Sequence, residues 1–268
     1  MSKILSYHND PKVKDFHVAL AKKHLAQDQL VANTYGQFEW QKFKGCSVGC
    51  MAQDIKHDWS FAPESELPHT IVAESAGWPM WLVYLNDDIF EGLPEGEREV
   101  FHVKLREAIP VGIDLEPLFW KLASIRLSKI WATFLKTSGI KPDEEIQAKI
   151  TTCFNYFERE LANRATIEER ETVKKLYFAS EGRRTGNTLT NDLDENLFKY
   201  FGRWSLTNLA GWASSGRLLI IGPTSSDLEV ELAFIEHWRF ERDTLFRLLA
   251  VMTKHQVLVN SLGDEPCT

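Results

Sequence analysis

The chain has no apolar run approaching the roughly 20 residues that a membrane-spanning helix needs. Its longest, Leu218-Leu219-Ile220-Ile221, stops at Gly222-Pro223. Positive charge is not in excess either: 31 Lys and Arg against 38 Asp and Glu leave a formal net charge of −7. That balance argues against nucleic acid or an anionic membrane as a partner. Arg183-Arg184 is the one basic loop candidate, and two arginines make no binding stripe. Cysteine is scarce: Cys46, Cys50, Cys153 and Cys267 in 268 residues do not make a disulfide scaffold. The opening Met1–His8 lacks the charged and apolar regions of a secretory signal. These absences lead us to expect a soluble protein of a reducing compartment, the cytoplasm. Nor does the chain contain G-x-S-x-G, a P-loop, G-x-G-x-x-G or H-E-x-x-H, so no nucleophile elbow, nucleotide cradle or zincin helix is expected.

What is present is apolar residues at helical spacing. With 44% hydrophobic residues, nine Trp and sixteen Phe, the chain can bury a large core. Pro11 follows Asn9-Asp10 and opens a helix over 11–31 whose apolar positions are Phe16, Ala19, Leu20, Leu25 and Leu30. Further helices are read from Pro79 to the stop at Gly92-Leu93-Pro94, over 95–109, from Pro117 to about Lys136, and from Pro142 to about Asn163. Thr166-Ile167-Glu168-Glu169 has the capping-box pattern. A last long helix runs from Ser226 to roughly His255. Residues 32–68, punctuated by Gly36, Gly45, Gly49, Pro63 and Pro68, read as irregular, and 192–221 is ambiguous between helix and a short strand. The expected fold is mainly or all α, one helical domain over 1–268 with eight to ten helices. Its internal breaks lie near residue 140 and over 181–191.

The densest chemistry is Gly45-Cys46-Ser47-Val48-Gly49-Cys50. On a helix, spacing i, i+4 puts both sulfurs on one face; in a loop, the glycines let another backbone approach closely. C-x3-C falls within zinc-ligand spacing, with His57 and His69 the nearest completing ligands, although no H-x3–5-H pair follows. Packing as two small buried hydrophobes is the competing reading. Asp87 and Glu91 are i, i+4 neighbours at the C-terminal end of their helix, where both mutual repulsion and the helix dipole disfavour them. A sequence that keeps carboxylates there is suited to a cation or ligand. Glu99-Val100-Phe101-His102 has the E-x-x-H spacing of di-iron bundles, but no second copy exists, so that reading is set aside.

Four segments together resemble one family of uncharacterised bacterial and phage proteins. They are Tyr7-His8-Asn9-Asp10-Pro11, the Lys44–Cys50 run, Leu85 through Pro94 and Ala108 through Glu116. In that family they read YHxDP, GKGCAVGC, LEDxIFEGLP and AIPVGVDLE. The resemblance covers about the first 120 residues and implies that His8, Cys46, Cys50, Glu74, Asp87 and Glu91 belong to one site. Asn86 stands where the family has glutamate, and Gln53 where a histidine is common.

Two readings follow. In the first, the chain is a helical module that binds a protein or small-molecule partner, with no cofactor. In the second, it is an enzyme with a thiol- or metal-dependent site. The catalytic candidates there are Cys46, Cys50, His8 and Glu74; the metal candidates are Cys46, Cys50, His57, Asp87 and Glu91. The second reading fails on reach if both thiols lie in apolar packing more than about 10 Å from every histidine and carboxylate.

Overall fold

A computed structural model of the protein describes residues 4–40, 42–56, 67–137, 144–162 and 227–263, with 164–166, 168–169 and 172 between the last two. Within these residues the chain forms eight α-helices and one two-stranded sheet. The expected mainly helical fold is observed. The chain packs as two compact units, Met1–Glu116 with His237–Thr268, and Pro117–Glu236. The ambiguous stretch 192–221, the break at 181–191 and His57 lie outside the described residues.

The first unit begins with a strained turn in which Tyr7, His8 and Asn9 all have φ above +50°, a conformation disfavoured for L-residues. It drives Tyr7 into the core, where its hydroxyl donates to the Arg106 carbonyl at 2.7 Å. Helix α1 (Pro11–Ala26) starts as expected: Asp10 accepts from the Lys12 amide at 2.8 Å and Pro11 occupies the first turn. Its buried face is not the apolar one. His17, Ala21 and His24 face inward, whereas Phe16 and Leu25 are 46% and 42% exposed.

The stretch read as irregular contains real structure. Strands β1 (Gln37–Glu39) and β2 (Lys42–Lys44) pair antiparallel, with Phe38 opposite Phe43. Helix α2 (Ser47–Ile55) follows at once. The glycines that suggested a loop serve close packing instead. A Cβ on Gly49 would lie 1.5 Å from the Tyr35 carbonyl oxygen, and one on Gly45 would lie 2.5 Å from it. Only glycine lets the 33–36 loop lie against the start of this helix.

Helices α3 (Leu67–Ala76), α4 (Met80–Gly92) and α5 (Glu97–Ala108) complete the core. It is built on Val48, Met51, Val72, Leu82, Leu85, Ile89, Phe90, Phe101 and Leu105, all fully buried. Helix α4 stops at Gly92-Leu93-Pro94, as its sequence predicts. Helix α6 (Glu116–Thr137) and helix α7 (Glu144–Leu161) form much of the second unit, where Trp120 meets Tyr156 and Phe157 ring to ring. The capping box near residue 166 forms as predicted: Thr166 N donates to Glu169, and Glu169 N donates to the Thr166 hydroxyl at 3.2 Å. Helix α8 (Asp227–Gly263) runs past the expected end at His255 and brings Trp238, Leu245 and Leu249 into the first unit. No helix among the described residues is long and apolar enough to cross a membrane.

Candidate metal centre

The two cysteines that look like a pair in sequence face different neighbours. Cys46 is the N-cap of α2, its sulfur accepting from the Gly49 amide at 3.4 Å. Cys50, one turn on, donates its thiol to the carbonyls of Gly45 at 3.4 Å and Gln29 at 3.5 Å. Burial pushes the Cys50 thiol up to about 12, so it stays protonated and inert.

Cys46 instead meets α4. Its sulfur and one carboxylate oxygen each of Asp87 and Glu91 all lie within 4.8 Å of one another. The i, i+4 spacing puts both carboxylates on one face of the last turns of α4. Because Cys46 is the N-cap of α2, the two carboxylates lie near the N-terminus of that helix, the end whose dipole favours anions. Burial pushes the Cys46 thiol well above its ordinary value, and the Asp87 carboxylate beside it adds to this. Burial likewise lifts Glu91 to about 7, opposed by a hydrogen bond from the Asn33 amide at 2.6 Å.

Asp87 is 8% exposed. Its carboxylate accepts from the Cys46 thiol; its Oδ2 lies 3.2 Å from His69 Nε2, and among the described residues its Oδ1 has no hydrogen-bond partner of good geometry. His69, itself 3% exposed, stacks on Tyr84 with ring centroids 4.2 Å apart and takes the Tyr35 ring on its edge. Three acidic groups thus converge, and among the described residues one carboxylate oxygen has no hydrogen-bond partner and no Lys or Arg stands in ion-pair contact. Leaving such an oxygen buried costs about 1–3 kcal/mol. One thiolate and two carboxylates suit a divalent cation, and sulfur among the donors favours zinc-like ions over magnesium or calcium. Ligands across a tetrahedral zinc stand about 3.5 Å apart, so the three side chains need close by only ~1 Å.

Of the sequence candidates, Cys46, Asp87 and Glu91 come together. His8 and Glu74 do not join them: His8 Nε2 lies 2.7 Å from the Glu74 backbone carbonyl, while the Glu74 side chain faces solvent. Sequence reasoning named His69 only as a distant completion for a cysteine pair, not as a partner of Asp87.

It missed entirely a second polar cluster on the other side of α2. Lys23 pairs with Asp54 at 2.6 Å, and His24 donates from Nε2 to the same carboxylate at 3.1 Å. His24 Nδ1 faces His102 Nε2 at 3.2 Å, and His102 Nδ1 lies 2.8 Å from the Ser47 hydroxyl. Ser47 donates to Asn86 Oδ1 at 3.0 Å. Arg106, fully buried, donates to the His102 carbonyl at 2.6 Å and stands over the Trp78 ring. Hydrogen bonding from His24 holds Asp54 down to about 2, while burial lowers both histidines, His102 most. The readable signal was His17 and His24 at i, i+7 with Ala21 between them, a polar stripe along one helix face. The set-aside E-x-x-H divides its work: Glu99 caps the Gly96 amide at 2.5 Å, and His102 joins this cluster. No protein-family model, no curated protein and no solved structure matches this chain.

Proposed function

We propose that the chain is a metalloprotein that holds one thiophilic divalent cation, of the zinc class, on Cys46, Asp87 and Glu91. The observation that carries this reading is the buried Asp87 carboxylate with an unpartnered oxygen, set among a thiol and a second carboxylate. Three protein ligands leave a fourth position for water or substrate, the arrangement of catalytic rather than structural zinc. Such a cation would lower the pKa of bound water and polarise a carbonyl or phosphoryl oxygen, so metal-assisted hydrolysis is the reaction class supported. Glu91 and Tyr35, both partly exposed, mark the solvent side of the site.

Elemental analysis of native protein, with thiol titration before and after a chelator, tests the proposal. The expected result is about one equivalent of zinc-class metal, lost on chelation, with the Cys46 thiol becoming titratable only when the metal-free chain is also unfolded. Cys46→Ser and Asp87→Asn should each lower retention by tenfold or more. Metal-free native protein that also fails to take up cobalt(II) overturns the reading.

The alternative, a partner-binding module, is favoured by one observation: Trp40 and Phe38 on the β1–β2 hairpin are 99% and 62% exposed. Its test is sedimentation of the native chain against Trp40→Ser. A concentration-dependent assembly lost in the variant would support self-association through this hairpin.

A further inference from the structure

The two polar clusters meet at neighbouring residues of the same two helices. Cys46 and Ser47 open α2, and Asn86 and Asp87 lie side by side in α4. One member of each pair, Cys46 with Asp87, belongs to the cation site. The other member of each, Ser47 with Asn86, forms the 3.0 Å hydrogen bond that ends the buried chain. Ser47, Asn86, His102 and Arg106 are wholly buried and His24 is 1% exposed, so this chain lies within the core.

The chain cannot be a second metal site. Among the described residues no third ligand comes within reach of the facing His24 and His102 nitrogens; the Cys46, Asp87 and Glu91 group alone has that geometry. Nor is it needed for stability as such, because an apolar core of equal volume is commonly as stable as a buried polar network. What a directional network supplies is register. One residue of slip along a helix is about 1.5 Å, whereas metal–ligand distances tolerate about 0.2 Å. Hydrophobic contacts alone do not discriminate at that level; hydrogen bonds of 2.8 to 3.2 Å do.

We infer that Asp54, His24, His102, Ser47 and Asn86 act as a positioning chain for the cation site, locking the first turn of α2 against α4 where Cys46 meets Asp87 and Glu91. The inference rests on the proposed metal reading. Asp54 anchors the outer end: its carboxylate only accepts, and it is held by Lys23 as well as His24. Arg106 holds the inner end, its guanidinium 3.4 Å from the Ser47 hydroxyl. None of the five is a ligand, so their effect on the metal is through geometry alone.

The test is cobalt(II) titration of the chelator-treated full chain, followed by the thiolate-to-cobalt charge-transfer band and the ligand-field bands. Ser47→Ala, His102→Gln and Asp54→Asn are compared with His17→Gln. His17 is a control as buried as His102, on the helix that carries His24; it pairs with Ser75 and stands outside the chain. The chain variants should bind cobalt about tenfold or more weakly, as losses of supporting groups around a metal do, with altered ligand-field bands. His17→Gln should lose stability yet keep native affinity and spectrum. Should His102→Gln fail to fold, Asp54→Asn at the part-exposed end still decides the matter. Native affinity and spectrum in Ser47→Ala and Asp54→Asn overturn the inference while leaving the metal site standing. So does an equal loss in His17→Gln. A native chain with no charge-transfer band removes the metal reading and this inference together.

Discussion

At the scale of single residues, glycine and histidine carry more of this protein than their number suggests. Gly49 is the tightest case, since its added Cβ would meet the Tyr35 backbone, which cannot swing aside. We expect Gly49→Ala to destabilise by about 3 kcal/mol, the upper end for overpacking, read as a lower urea midpoint. Gly96→Ala should cost only about 1 kcal/mol, because nothing lies near its Cβ and the sole penalty is φ +84°. The exposed Trp40 gives the opposite control: Trp40→Ser should change stability by less than about 0.5 kcal/mol.

His17 predicts a pH dependence. Burial holds it at about 4 against an ordinary 6.5, so between those values the unfolded chain binds the extra proton. Stability should therefore fall as pH drops below 6.5 toward 4, by about 3 kcal/mol for this residue. His24 and His102 act in the same direction. Glu91 opposes them: lifted from 4.5 to about 7, it stabilises the fold while protonated, and that contribution is lost as pH rises through 7. Urea midpoints of cation-free protein between pH 8 and 4.5 separate the two. His17→Gln should flatten the acid limb, and Glu91→Gln should flatten the decline above 4.5.

At the scale of elements, α4 is the piece on which the rest depends. One of its faces supplies Leu82, Leu85 and Ile89 to the core, and its last turns present Asp87 and Glu91 to Cys46. Beyond them Gly92 leaves space for the Trp238 indole, which would stand 2.0 Å from an added Cβ. Gly92→Ala should therefore displace the packing of α8 in the first unit and lower the unfolding midpoint by several degrees. Arg239 and Arg242 fasten the same helix to Glu97 at the start of α5. The start and stop of α4 were legible, since Pro79 and Gly92-Leu93-Pro94 act locally. The buried face of α1 was not. Phe16 and Leu25 suggested an apolar stripe, yet His17 and His24 turned inward, where α3 offers Ser75 to His17 and α2 and α5 offer Asp54 and His102 to His24. Partners on other elements decide such a face.

At the scale of the whole molecule, the proposed cation links the site to stability. An ion that binds only the folded first unit stabilises it by about 2.7 kcal/mol at a hundredfold excess over Kd. Calorimetry with and without zinc should show a raised transition in the native chain and no shift in Asp87→Asn.

Local signals were enough for the helical class and for the ends of several helices, and they marked Asp87 and Glu91 as like charges one turn apart. Those features follow from local rules: periodicity, caps, Pro and Gly, and like charges set one turn apart. Helix packing was needed to part Cys46 from Cys50, to leave His8 and Glu74 away from Asp87 and Glu91, and to join Asp54, His24, His102 and Ser47 in series. A side chain's partner is set by helices packing across tens of residues of intervening chain, and spacing along one helix carries no record of which helix will face it.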